Sequence, residues 1–89
     1  MITVKIFFFS TIRARIGKKQ LELQIPDGSA VADLKQVLAD LYPAAAPTVL
    51  TMLASVNQTF AGDETALPDQ AEVAFFPYVS GGNNAENFA

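Results

Sequence analysis

Apolar and polar positions alternate from the start of the chain. Val4, Ile6 and Phe8 fall on one side of "TVKIFFFS", and Thr3, Lys5, Phe7 and Phe9 on the other. A period of two predicts a strand, here over residues 3–10. In "TIRARIGKK" the spacing changes: Ile12 and Ile16 lie four apart, on one face of a short helix that Gly17 can end. "QLELQI" returns to alternation, with Leu21, Leu23 and Ile25 opposite Gln20, Glu22 and Gln24. The two strands are expected to pair as a hairpin. "PDGSA" is a turn, and Ser29 is the expected N-cap of the next helix. In "AVADLKQVLADLY" residues Val31, Leu34, Val37, Leu38 and Leu41 recur at three- and four-residue spacing, which predicts one amphipathic helix with one buried stripe. Pro43 ends it, and "AAAPTVL" reads as a second short helical turn.

Strand patterns recur over Leu53 to Val56 and in "AEVAFFPYV", where Val73 and Phe75 oppose Glu72, Ala74 and Phe76. Phe60 falls in the loop after "VNQT", and "GDETALPDQ" is loop as well. The closing "SGGNNAENFA" repeats nothing apolar and is expected to be mobile. The order strand, strand, helix, strand, strand suits a mixed α+β sheet with one main helix packed across it. A crossover through the helix places the first and last strands side by side and parallel at the centre. That is the β-grasp, or ubiquitin-like, arrangement. It is expected to occupy residues 1–80, with 81–89 as a flexible Gly-Gly tail and C-terminal extension.

The 89 residues suffice for one domain, and an apolar share of 51% supports a core despite the short chain. There is no cysteine or histidine, which removes thiol nucleophiles, His-based triads and zinc sites built on those ligands. No metal site is expected. A net charge of −3 argues against a nucleic-acid partner. Four of the six cations lie between Arg13 and Lys19 and read as a solvated turn, and Asp63, Glu64, Asp69 and Glu72 as a solvated acidic loop. No apolar run approaches the ~20 residues of a membrane span, and no signal peptide is visible. A soluble cytoplasmic protein without a membrane partner is the expectation.

Three segments then point to a family. Val56, Asn57 and Gln58 form one; Glu72, Val73, Ala74, Phe75, Phe76 and Pro77 the second; Val79, Ser80, Gly81 and Gly82 the third. With the opening "VKIFFFSTIRARIG", they make residues 1–82 resemble the small subunits of molybdopterin synthase, a family of ubiquitin-like sulfur carriers. Two departures stand out: Tyr78 replaces a usual second proline, and seven residues, Asn83 to Ala89, follow the second glycine, where members normally stop.

The resemblance implies a chemistry. The terminal glycine carboxylate is adenylated by an ATP-dependent activating enzyme, and a sulfur donor then displaces AMP to leave a thiocarboxylate. The tail enters the large subunit of a heterotetrameric synthase and passes sulfur to a pyranopterin in molybdenum cofactor biosynthesis. Gly82 is the implied carrier position and Gly81 its neighbour. The chain itself binds no cofactor and is a carrier rather than a catalyst. Glycine suits the task independently, because a backbone without Cβ fits a narrow channel. Residues 79–82, fully extended, reach roughly 13 Å at about 3.3 Å each. An amide at Gly82 offers no carboxylate oxygen to phosphorus. The residues beyond it are therefore either removed by a processing protease or an appended remnant, or the chain serves for binding alone. Other readings stay open: a sulfur carrier for thiamine or amino-acid biosynthesis, or a ubiquitin-like interaction module without sulfur chemistry.

Strand parity adds a surface. Phe9 and Phe76 fall on the face away from the main helix, with Phe60 in reach, and form an expected docking patch. The family docks its partners through an apolar patch there, and Pro77, Tyr78, Val79 and Ser80 at the base of the arm are the other expected contacts. The competing reading is that residues 43–50 or the chain end cover Phe9 and Phe76.

Overall fold

The alternation at the N-terminus becomes β1 (Ile2–Phe8), in which every second residue is buried. In the computed structural model, which describes residues 1–76, it is followed by α1 (Ser10–Ile16), β2 (Gln20–Ile25), α2 (Val31–Leu41), a 3₁₀ turn (Pro43–Ala45), α3 (Ala46–Val49), β3 (Leu53–Val56), β4 (Thr59–Ala61) and β5 (Ala71–Phe76). The strands form one sheet in the order β2-β1-β5-β3-β4. β1 pairs antiparallel with β2 and parallel with β5, with Ile6 opposite Val73. The central parallel pair and the helix layer are those of the β-grasp. The domain boundary expected at residue 80 lies outside the described residues.

Burial follows parity. Val4, Ile6 and Phe8 of β1, and Ala71, Val73 and Phe75 of β5, meet Val31, Leu34 and Leu38 of α2 in one core, which Ile12 and Ile16 of α1 also join. Each of these valine, leucine, isoleucine and phenylalanine side chains stabilises the fold by about 1.5–3 kcal/mol when fully buried. The opposite sheet face carries Lys5, Glu22 and Glu72 in register, all exposed.

The structure corrects several sequence expectations. The first strand stops at Phe8, and Phe9 is already the residue flanking α1. Phe60 lies on β4, a short strand, not in a loop. Leu41 is 52% exposed, whereas Lys35 is buried at 6%. At 100° per residue Lys35 lies inside the arc set by Val31, Leu34, Leu38 and Ala39, and Leu41 just outside it.

Ser29 is not the cap of α2. Ala30 precedes the helix, its N–H donates to Asp33 Oδ2 at 2.8 Å, and Ser29 Oγ donates to the Pro26 carbonyl at 2.7 Å. The acidic loop is more than a solvated surface: Asp63 accepts from Lys35 Nζ at 2.8 Å, and Asp69 accepts the Thr3 N–H at 2.8 Å. The four cations of Arg13 to Lys19 are exposed, as the solvated-turn reading expects.

Candidate functional site: an aromatic groove on the open sheet face

Parity places the site. Phe9 continues the extended backbone of β1 (φ −128°, ψ 161°) and so falls on the same face as Phe7. Phe76 closes β5 on that face, beside β1 in the parallel ladder. Their rings stack with centroids 6.2 Å apart and 9° between planes. Phe60, from β4, meets Phe76 edge-on, at 6.3 Å and 65°. Both arrangements are favoured by the ring quadrupole.

Between the rings lies a groove of ≈ 400 Å³ lined by Phe9, Ser55, Gln58, Phe60, Ala74 and Phe76. The register explains its shape. Ser55 stands between Ala74 of β5 and Phe60 of β4, while Leu53 pairs with Phe76. Small side chains make the floor and aromatic rings the walls.

The three aromatic residues expected from the sequence are therefore brought together. Phe9 is 47% exposed and Phe60 78%, with Phe76 half-buried. The segment 43–50 packs instead against α1 and α2, so it does not cover them, and the chain end, the other expected cover, lies outside the described residues. Pro77, Tyr78, Val79, Ser80, Gly81 and Gly82 lie outside the described residues. Sequence reasoning missed Ser55, Ala74 and Gln58 as groove residues. Ser55 and Ala74 were legible as outward positions of β3 and β5, but their placement side by side needs the strand order. Gln58 needed the short strand after it to be recognised.

Chemically the groove offers contact area and two polar groups, the Ser55 hydroxyl and the Gln58 amide. It has no acid–base pair and suits docking rather than catalysis.

Residues 6–82 match the ThiS family. The chain belongs to this family. The groove residues Phe9, Ser55, Gln58, Phe60, Ala74 and Phe76 all fall within the ThiS match, which ends on Gly82. Among ThiS-like relatives, the molybdopterin synthase sulfur carrier subunit of Escherichia coli (strain K12) is 37% identical over 82 residues, covering 89% of this chain and 99% of the relative. The subunit of the same name from Mycobacterium tuberculosis is 32% identical over 83 residues, covering 92% and 100%.

Solved structures agree with the ThiS fold. The solution structure of small archaeal modifier protein 1 from Methanosarcina acetivorans superposes with TM-score 0.74 at 29% identity, over 92% of this chain and 98% of that one. The complex of subunits 1 and 2 of the molybdopterin-converting factor from Helicobacter pylori matches with TM-score 0.63 at 16% identity, over 91% and 100%, a likeness of fold.

Proposed function

We propose that this chain is the sulfur carrier subunit of molybdopterin synthase, working in the cytoplasm. The observation that carries the reading is the family match, which runs through Gly81 and ends on Gly82. The ThiS-family relatives named as molybdopterin synthase sulfur carrier subunits support the same role.

In this reading a carboxylate oxygen of Gly82 attacks the α-phosphorus of ATP on an activating enzyme. Pyrophosphate leaves and an acyl adenylate forms. A sulfur donor attacks the carbonyl carbon, AMP leaves, and the thiocarboxylate remains. The loaded tail enters the large subunit and transfers sulfur to a pyranopterin. The groove of Phe9, Phe60 and Phe76 docks the large subunit beside β5, the strand that leads towards the tail. No group of the chain acts as acid or base. The assembly with the large subunit is a heterotetramer in this reading; the Helicobacter pylori complex of subunits 1 and 2 supports the pairing of the two subunits.

Residues 83–89 block the chemistry while attached, so a protease releases the active form by cutting after Gly82. Mass spectrometry tests the carrier step. A form ending at Gly82, incubated with ATP, the activating enzyme and a sulfur donor, gains the mass difference of one sulfur for one oxygen. The form retaining residues 83–89 stays unchanged. Absence of that gain in the trimmed form overturns the proposal.

A further inference from the structure

The link between β3 and β4 is two residues long, Asn57 and Gln58, flanked by the pair Val56–Thr59. Both have positive φ, 50° and 70°. Two successive left-handed residues mark a type I′ hairpin turn, whose backbone twist matches the flanking strands. Such turns favour asparagine at the first position and glycine at the second. The first preference is met, and for a local reason: Asn57 N–H donates to the Glu72 carbonyl at 2.8 Å, and Asn57 Oδ1 accepts the Glu72 N–H at 2.9 Å. These bonds stitch the turn to β5.

The second preference is not met. Gln58 carries a Cβ in a left-handed conformation, which is strained for an L-residue. Its side chain does nothing for the turn. It is exposed and, among the described residues, makes no hydrogen bond. It does line the aromatic groove.

We propose that Gln58 is a specificity-determining residue of the groove, held at a strained position because its amide hydrogen-bonds the backbone of the large-subunit segment that docks there. A carboxamide offers a donor and an acceptor together, the complement of a peptide C=O and N–H. Aromatic walls supply area without fixing register, and a few placed polar groups supply orientation. Ser55 lies half-buried on the floor, so Gln58 is the exposed polar group at this site. The inference rests on the docking role proposed above.

Two substitutions separate backbone strain from the amide. Gln58→Gly relaxes the turn and removes the amide. Gln58→Met keeps the strain and the length but loses the amide. Thermal denaturation should show Gln58→Gly melting about 2–5 °C higher and Gln58→Met unchanged. In titration calorimetry against the large subunit, both should bind about three- to tenfold more weakly than wild type. A Gln58→Met protein that binds like wild type overturns the role of the amide. A Gln58→Gly protein that melts no higher overturns the strain on which the proposal stands. A wild-type chain that fails to bind the large subunit at all overturns the docking reading, and this role with it.

Discussion

Lys35 is the residue whose position the hydrophobic pattern misjudges most. Its side chain is 8% exposed, and its ammonium meets Asp63 at 2.8 Å, while Asp63 remains 63% exposed. The methylene stem lies within the buried arc of α2, and the charge reaches a carboxylate at the edge of solvent. Removing the partner leaves a desolvated charge, whereas removing both charge and polarity leaves a stem that packs. Asp63→Ala should therefore cost about 1–2 kcal/mol, and Lys35→Met should be close to neutral. Thermal denaturation of the two variants checks this. Equal losses would show that the pair acts through its attraction rather than through the cost of an orphaned ammonium.

Among the elements, α1 is seven residues long, too short to be stable alone. It is held by burial of Ile12 and Ile16 and by its C-terminal stop. Gly17 has φ 83°, and its N–H donates to the Arg13 carbonyl at 2.8 Å. A Cβ at Gly17 would meet nothing within 4 Å, so the penalty of a substitution is conformational rather than steric. Gly17→Ala should destabilise the protein by about 1 kcal/mol, a fall in melting temperature of about 4–8 °C for a domain this size. Gly62 is the useful comparison. A Cβ there meets the flexible carboxylate end of Glu64 at 2.9 Å, so Gly62→Ala should change stability by less than about 0.5 kcal/mol.

For the molecule as a whole, the two sheet faces have different work. One is filled by the helices, and the other, among the described residues, leaves an aromatic groove uncovered beside Phe76. Phe60 is 78% exposed, so Phe60→Asp should leave the melting temperature nearly unchanged. In the same variant, affinity for the large subunit should fall more than tenfold in calorimetric titration, since exposed aromatic anchors carry most of the energy of such contacts. A Phe60→Asp chain that binds normally would move the interface elsewhere. One that unfolds would contradict its exposed position.

Much of this architecture was legible in residue order. Alternation in "TVKIFFFS", "QLELQI" and "AEVAFF" marked three strands and their buried sides, and parity alone set Phe9 and Phe76 on the open face. Period-two and period-3.6 patterns are local, so the chain carries them wherever the element ends up. Three things depended instead on the packed fold.

The strand Thr59–Ala61 is too short to show a period, and its pairing with β3 is what makes it a strand. The start of α2 lacks a local side-chain cap at Ser29 because the loop after β4 supplies partners from afar: Val31 and Ala32 donate to the carbonyls of Thr65 and Asp63, at 3.0 and 2.9 Å. The burial of Lys35 follows from the same loop, since Asp63 arrives from 28 residues away. A sequence reports the preferences of neighbours along the chain. Which distant group satisfies a donor or a charge is settled when the elements close on one another.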